Sequence, residues 1–317
     1  MQTLFRSLLA AAGMALAGCD LMDDALAAAS DQERHQEDFK FSYDLKPGGR
    51  VTLEGFNGGV EIYGWSQDKI EIDGTKYSSD KAKLSEIKID IAHTADSVQI
   101  RAVQPERPHR WHGNMGVKFV LHVPRKTLLE SVASSNGPIQ IEGLEGDARL
   151  RTSNGPVKLT SFRGDAVVRT SNGPVDVKDF SGALSVATSN GPVRGDGVKG
   201  NLDVTTSNGP VTISAADLAA GKPVRIKTSN GPVRLTMNKL TTDVIARTSN
   251  GPIELRLPTG SGANVRAETR HGKVESDFEV SAATTQSKSE LAGRIGGGGP
   301  SLELETSNGN IRLARAN

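Results

Sequence analysis

Small or aliphatic residues alternate with polar and charged ones along most of the second half of this chain. In residues 146–162 the alternation runs for several positions, is interrupted by a short polar stretch, and then resumes. A period of two residues predicts β-strands with one buried side and one solvent-facing side. The positions predicted to point inward are Ala148, Leu150, Val157, Leu159, Ala166, Val168, Val175, Val177, Val186, Val193 and Val204.

The polar stretch between two alternating runs is Thr-Ser-Asn-Gly-Pro-Val, and it recurs. Its Asn returns at steps of 18 residues from Asn136 to Asn208, and later at longer steps. A fixed period of this length indicates a repeat architecture with two strands and one corner in each unit. We expect the Asn side chains of successive corners to stack in a ladder, since each amide both donates and accepts. The ladder positions are Asn136, Asn154, Asn172, Asn190, Asn208, Asn230, Asn250 and Asn308.

Two architectures fit two strands per repeat. Asn-Gly alone favours a chain of antiparallel hairpins. The Pro that follows argues against it, because the residue after Gly would have to donate an N–H across the hairpin. The alternative is a β-solenoid, in which each repeat is one coil and equivalent strands stack in parallel, so that like side chains form ladders. The sequence favours the solenoid.

The predicted fold class is therefore all-β, a single-stranded parallel β-solenoid of ~18–22-residue coils. The strand candidates of residues 39–127 are longer and less regular, and solenoids need atypical capping coils, so we expect an N-terminal capping β region there. Residues 128–317 are the repeat solenoid, with a Gly-rich insertion at 277–300 expected to be a flexible excursion. Residues 302–313 are expected to form the closing coil.

The chain begins with a targeting segment at residues 1–18. Arg6 precedes an apolar run that is too short to span a membrane as a helix. The segment ends in Leu16-Ala17-Gly18-Cys19, which resembles the lipobox of bacterial lipoproteins and implies that Cys19 is lipidated. The alternative is an ordinary secretory signal with an incidental Cys. Asp20 resembles a signal for retention in the inner membrane, so a periplasm-facing location there is favoured over the outer membrane. Residues 19–38 are polar and acidic and predict a flexible tether.

Charge excludes one class of partner. The chain has 38 Lys and Arg against 37 Asp and Glu, and removal of Arg6 with the leader makes the two counts equal. No bulk charge attracts nucleic acid, so none is expected as a partner. With 1 Cys, no internal disulfide is possible, and the stack of repeats must supply the stability.

One solvent-facing side of the coils carries a pattern of cations. The positions before each corner are basic near both ends of the repeat array, small or neutral in the middle, and acidic at the last coil. Like charges in neighbouring coils repel, so such a face is costly unless something binds there. An anionic glycan, lipid or envelope protein is the predicted partner, and a solvated face with neutralised cations is the alternative. The candidate binding face is Arg149, Arg151, Arg169, Arg225, Lys227 and Arg247.

Enzyme chemistry finds little support. Catalysis needs several dissimilar groups converging on one place, whereas the corners repeat the same residues, so no catalytic or cofactor-binding residues are expected. Asp147 and Asp165 would stack in adjacent coils, but Ala183 and Asn201 end that column. His109 and His112 lie in a Pro-broken loop without a third ligand, so no metal site is predicted.

At this point the chain resembles the bacterial putative-adhesin family, domain of unknown function 4097. The resemblance covers about residues 39–317 and is carried by Phe56-Asn57-Gly58-Gly59-Val60-Glu61-Ile62, by Val123-Pro124 and by the recurrent Ser-Asn-Gly-x-Val. It implies an envelope or secreted β-solenoid and no catalytic residues. The function expected is a lipid-anchored scaffold, adhesin-like protein or binding module. The alternatives are a component of an envelope-stress signalling system and, last, a carbohydrate-active β-helix enzyme.

Overall fold

The computed structural model describes residues 35–106 and 114–316, with the backbone alone for 282–286. One short helix, α1 (Lys81–Glu86), accompanies the strands within these ranges. The N-terminal strands are β1 (His35–Asp44), β2 (Gly49–Glu54), β3 (Val60–Trp65), β4 (Lys69–Ser78), β5 (Lys88–Thr94), β6 (Ser97–Val103) and β7 (Met115–Pro124). The repeat strands are β8 (Thr127–Ser134), β9 (Ile139–Glu142), β10 (Ala148–Thr152), β11 (Val157–Arg163), β12 (Ala166–Arg169), β13 (Val175–Ala187), β14 (Val193–Thr205), β15 (Val211–Leu218), β16 (Val224–Lys227), β17 (Val233–Met237), β18 (Val244–Asn250) and β19 (Ile253–Leu257). The C-terminal strands are β20 (Ala263–His271), β21 (Val274–Ser276), β22 (Val280–Gln286), β23 (Glu290–Ile295), β24 (Ser301–Asn308) and β25 (Ile311–Arg315).

Equivalent strands of successive repeats pair in parallel, which confirms the solenoid. Ala148 of β10 lies opposite Ala166 of β12, one repeat later. Val157 of β11 lies opposite Val175 of β13 in the same way. Each coil thus has a first strand, the Asn corner (the Thr-Ser-Asn-Gly-Pro turn) and a second strand. The strands β13 and β14 each run on from the second strand of one coil into the first strand of the next.

Because of the alternation, the aliphatic side chains of every coil point inward and stack in columns along the solenoid. All of the predicted inward positions are buried, from Val157 at 0% exposed to Val177 at 4%. Each fully buried Val or Leu side chain contributes about 1.5–3 kcal/mol before the entropy cost of ordering is subtracted. The core is therefore a continuous aliphatic column along the axis of the stack.

Threonine joins the corners of adjacent coils. The Thr152 hydroxyl donates to the carbonyl of Gly137 in the preceding coil at 3.2 Å and accepts from the N–H of Gly155 in its own corner at 3.2 Å. The backbone N–H groups of Ser153 and Asn154 both bond to one carbonyl of that preceding coil. The buried hydroxyl is thus satisfied on both sides, as a buried polar group must be.

The asparagine side chains form a continuous ladder on the exposed rim of these corners. Asn154 Nδ2 donates to Asn136 Oδ1 at 2.6 Å, and Asn172 Nδ2 donates to Asn154 Oδ1 at 2.7 Å. The same bond, always directed toward the N-terminal end of the stack, joins the later members up to Asn308, which donates to Asn250. The ladder begins one coil earlier than the sequence repeats indicate, because Asn136 donates to Asn57.

Layers at the N-terminal end do not follow the order of the chain. The coil formed by β2 and β3 lies between β6–β7 on one side and β8–β9 on the other. The outer edges of β6 and β7 are covered by antiparallel strands β5 and β4, and β1 pairs with β4. Residues 49–62 are therefore an internal coil of the stack, although they come before the strands on both sides of it in sequence. Strand β1 also begins at His35, inside the segment predicted to be a tether.

The C-terminal end repeats this device. The coil formed by β24 and β25 is inserted between β18–β19 and β20–β21, so the last coil in the sequence lies inside the stack. The expectation that it closes the solenoid is wrong. Residues 277–300 are not a mere flexible excursion either, because they contain the antiparallel pair β22 and β23. Strand β23 pairs antiparallel with β20 and covers its outer edge.

The close approach of corner backbones predicts a strict requirement for glycine. A Cβ added at Gly173 would overlap the carbonyl of Gly155 in the neighbouring coil, whereas a Cβ at Gly297 would meet nothing within 4 Å. We expect Gly173→Ala to lower the free energy of unfolding by about 1–3 kcal/mol or more, since the backbone must shift. Gly297→Ala is the control and should change it by less than about 0.5 kcal/mol. Urea unfolding followed by circular dichroism measures both, and equal midpoints would contradict the corner packing.

The ladder makes a graded prediction. Asn172 both donates to Asn154 and accepts from Asn190, whereas Asn308 has one Asn partner, Asn250, and the backbone of His271 on its other side. At about 1 kcal/mol per net hydrogen bond, Asn172→Ala should destabilise roughly twice as much as Asn308→Ala. Asn238→Ala, at an exposed asparagine outside the ladder, is the control. Indistinguishable thermal midpoints for the Asn172 and Asn308 variants would show that the ladder contributes nothing.

Candidate functional site

The outward side chains of the first strands form one face of the solenoid, called here the first-strand face. It runs in spatial order over β8, β10, β12, β13, β14, β16, β18, β24 and β20. Because strand side chains alternate in direction, the residues between the buried positions point outward together. All six residues of the predicted binding face are exposed on it.

Two groups of cations on this face lack an acidic partner. Arg149, Arg151 and Arg169 form the first group, in which Arg151 and Arg169 lie directly opposite each other on β10 and β12. Arg225 and Lys227 on β16 form the second group. In the ranges 35–106 and 114–316, no carboxylate oxygen lies within 4.0 Å of any of these five side chains. Two like charges directly opposite each other on neighbouring strands destabilise the sheet.

Arg247 differs from the other five. Its guanidinium contacts Glu303 at 3.3 Å and Glu305 at 3.4 Å, both from the inserted coil. If the coils were stacked in chain order, the residue opposite Arg247 would instead be Glu268. The inserted layer thus neutralises a position predicted to be part of the basic face, and Arg247 is not a free cation. In the outermost layer, Arg266 and Glu268 also approach each other, at 4.0 Å.

The surface between the two cationic groups is small and nearly neutral. It is formed by Ser185 and Ala187 on β13 and by Asp203 and Thr205 on β14. The carboxylate of Asp203 lies on the strand beside Arg225 but not within ion-pair distance of it. Three strand spacings separate β12 from β16, which at ~4.8 Å each places the groups about 14 Å apart. No single small anion can contact both groups at once.

The face formed by the second strands is built differently. Its charges alternate between neighbouring coils and pair, as in Arg194 with Asp176 at 3.3 Å and Arg234 with Glu254 at 3.5 Å. Exposed pairs of this kind contribute at most about 1 kcal/mol each. Within the described part of the chain, Lys158 and Lys178 on this face have no ion pair within 4.0 Å, but each lies opposite an acidic residue of the next coil, Asp176 and Asp196. Arg151 and Arg169 on the first-strand face instead lie opposite each other.

The carboxylates considered for catalysis have structural partners. Asp147 accepts the backbone N–H of Asp165 at 3.1 Å, and Asp165 accepts that of Ala183 at 2.8 Å. Each carboxylate thus forms a hydrogen bond with the backbone of the next coil, just before its first strand. No group of three or more metal-ligating side chains occurs among the described residues. The His109 and His112 loop lies outside them, as do Cys19 and the leader.

None of the helices in the described part of the chain has the length and apolar character needed to cross a membrane.

Sequence reasoning missed several parts of this arrangement. Asn57 heads the asparagine ladder, and the signal for it was the Asn57-Gly58 pair before the alternation of β3. Glu303 and Glu305 could not be assigned to Arg247, because no local pattern reveals that a coil is inserted out of order. The expected order of charges along the face was therefore wrong at the C-terminal end. The coil with Glu303 and Glu305 is not the outermost one, because the coil with Arg266 and Glu268 lies outside it.

One protein family profile, described as Toastrack DUF4097, matches this chain over residues 60–314, the part that contains the parallel coils and their Ser-Asn-Gly corners. The chain belongs to the Toastrack DUF4097 family. This match covers most of the chain and confirms the resemblance drawn from the corner motifs. No curated protein matches the chain.

Solved structures similar to this Toastrack protein are distant. A putative adhesin from Bacteroides fragilis is 10% identical, with 88% of this chain and 97% of that chain covered and a TM-score of 0.37. A putative cell adhesion protein from Clostridium sporogenes is 13% identical, with 88% and 100% covered and a TM-score of 0.26. A putative lipid binding protein from Parabacteroides distasonis is 11% identical, with 87% and 96% covered and a TM-score of 0.36.

Proposed function

We propose that this Toastrack protein is a lipid-anchored, adhesin-like binding module of the bacterial cell envelope, and that its first-strand face holds an anionic polymer. The observation that supports the proposal most directly is the direct opposition of Arg151 and Arg169 with no carboxylate within 4.0 Å. A bound anion would relieve their repulsion and gain charge-assisted hydrogen bonds from both guanidinium groups.

The spacing of the cations favours a polymer over a small anion. An extended chain with repeated negative charges could contact Arg149, Arg151 and Arg169, cross the neutral middle, and contact Arg225 and Lys227 beyond it. Small side chains such as Ser185 and Ala187 leave room for the polymer backbone. Acidic polysaccharide and a row of anionic lipid headgroups share this chemistry.

Anchoring would place this face close to its ligand. Cys19 precedes the first described strand, which begins at His35, by a polar segment of modest length. Lipidation of Cys19 would hold the solenoid near the membrane surface on the periplasmic side, and Asp20 favours the inner membrane. Because the face is exposed along the whole stack, the anchor and the binding face can act independently.

Charge reversal tests the binding face. The triple variant Arg151→Glu, Arg169→Glu and Lys227→Glu should bind an acidic polysaccharide (alginate) or vesicles containing phosphatidylglycerol at least about tenfold more weakly, a change of ~1.4 kcal/mol. The wild type should also lose affinity steeply with salt, since exposed charges are screened beyond about 8–10 Å at ordinary ionic strength. Alginate and vesicles form separate arms of a sedimentation and calorimetry assay, which distinguishes the two sources of anion.

The matched control reverses three cations elsewhere, Lys158→Glu, Lys178→Glu and Lys239→Glu. They are exposed and lie outside the first-strand face. The change in net charge is the same, so any loss caused by net charge alone would appear in both triples. Equal losses in the two triples, or binding by the wild type that is indifferent to salt, would contradict the proposed face.

Lipid anchoring is tested at Cys19. Cys19→Ser should remain unprocessed by the lipoprotein pathway, take up no labelled fatty acid and move from the membrane fraction to the soluble periplasmic fraction or accumulate as precursor. The physical reason is that a serine hydroxyl cannot replace the thiolate nucleophile that carries the lipid. Asp20→Ser is the companion variant, which should keep the label and change only the membrane in which the protein is found. A Cys19→Ser chain that is labelled as strongly as the wild type would rule out the anchor.

A further inference from the structure

A groove of about 830 Å³ runs along the other side of the coils, where each second strand bends before returning to the first-strand face. It extends from Tyr63 on β3 across β9, β11, β13 and β14 to Ala216 on β15. Five strand spacings of ~4.8 Å give a length of about 24 Å. The groove lies apart from the first-strand face and shares no residue with it.

The floor of the groove contains strained backbone. Gly143, Ser161, Asp179 and Gly197 occupy the same bend in four successive coils, and all have positive φ, of 72°, 51°, 52° and 66°. Glycine adopts this conformation freely and Asp does so occasionally, whereas for most other residues it costs roughly 1–2 kcal/mol. The two central coils therefore retain a polar side chain at a position where glycine fits better. Strain kept at a surface groove points to a use for these side chains.

Charges along the walls of the groove balance. Three cations and three carboxylates line it: Arg125, Arg163, Lys199, Glu142, Glu145 and Asp179. Arg163 and Glu145 are paired at 3.2 Å. A groove without net charge gives no preference to a polyanion or a polycation. Carboxylates that accept and guanidinium groups that donate are instead suited to hydroxyl-rich, uncharged ligands.

The Tyr63 ring lines the N-terminal end of the groove, and the rings of His122 and Trp65 lie behind it, outside the groove lining. The Tyr63 and His122 rings are stacked with centroids 5.6 Å apart, and the His122 and Trp65 centroids lie 5.4 Å apart. The Tyr63 hydroxyl donates to Glu61 at 2.8 Å, and Trp65 Nε1 donates to the carbonyl of Lys69 at 2.9 Å, which fixes both rings. The hydrogen bond to Glu61, with partial burial, raises the pKa of the Tyr63 hydroxyl above its usual value. All three rings are half-buried, with an apolar body and a polar tip at the surface.

We propose that this groove binds an uncharged oligosaccharide lying along the axis of the solenoid. The Tyr63 ring, held by His122 stacked against it, packs against the C–H face of a sugar ring at one end. Asp179, Ser161 and the Arg163–Glu145 pair exchange hydrogen bonds with sugar hydroxyls along the floor and wall. The groove is long enough for several rings and open along its length, so an internal stretch of a longer glycan fits without a free chain end.

Substitution to glycine separates binding from folding. Ser161→Gly and Asp179→Gly remove the polar side chains and also relieve the positive-φ strain, so the double variant should unfold no more easily than the wild type. It should nevertheless bind neutral tetrasaccharides at least about tenfold more weakly. Tyr63→Ala should have the same effect on binding by removing the ring. Asp196→Asn, at an exposed position on the same coils but outside the groove, is the control and should bind as the wild type does.

The probes are chitotetraose, cellotetraose and maltotetraose. Their binding to the purified chain is measured by saturation-transfer NMR and calorimetry. The expected result is saturable binding of at least one tetramer that is little affected by salt, weakened by both groove variants and unchanged by the control. Failure of all three tetramers to bind, or binding that survives both groove variants, overturns the proposal. If an uncharged extended peptide binds the groove and none of the tetramers displaces it, the proposal is also overturned. Salt-insensitive binding that persists in the Arg151, Arg169 and Lys227 triple variant distinguishes this site from the first-strand face.

Discussion

The close stacking of one corner directly on the next is the constraint on which this molecule depends. At each corner a glycine of one coil approaches the glycine carbonyl of its neighbour so closely that no side chain fits between them. That approach lets the Thr hydroxyl reach the neighbouring carbonyl and brings the Asn amides within hydrogen-bonding distance. The register of every strand follows from the corners, because a shift of one residue would expose the aliphatic columns. The regular spacing of the outward side chains is a consequence of the same register.

At both ends of the stack, additional strands cover the backbone edge that a parallel solenoid leaves unpaired. An open end presents unpaired N–H and C=O groups, which invite pairing with another chain. Antiparallel strands cover the ends here, with β5 and β4 beside the first layer and β23 beside strand β20 of the last. At each end a layer is also inserted out of chain order. The insertion of β24–β25 has an electrostatic effect, since it brings Glu303 and Glu305 to Arg247 and ends the basic part of the face.

The interior and the corners could be predicted from sequence because they depend on local pattern. Alternation identified the buried positions, and the Pro that follows Asn-Gly in most of the repeats argued against the hairpin. The order of the layers could not be predicted, since Thr248 and Thr306 carry equivalent corners and nothing near Thr306 shows which coil it will join. The groove escaped prediction for a similar reason. Ser161 and Asp179 look like ordinary polar residues in sequence. The 18-residue period aligns them with Gly143 and Gly197, but only the backbone shows that this position has positive φ.

The inserted C-terminal coil also sets the order in which the molecule can be assembled. Most layers can be added one after another as the chain becomes available, each on the one before. Strands β20 and β21 are different, because their parallel partner consists of residues 301–315, which come later in the chain. The outermost layer cannot take its final place until residues 301–315 are present. A chain that stops before residue 301 therefore lacks both the inserted layer and the surface that receives β20 and β21, and its last paired layer keeps an uncovered edge.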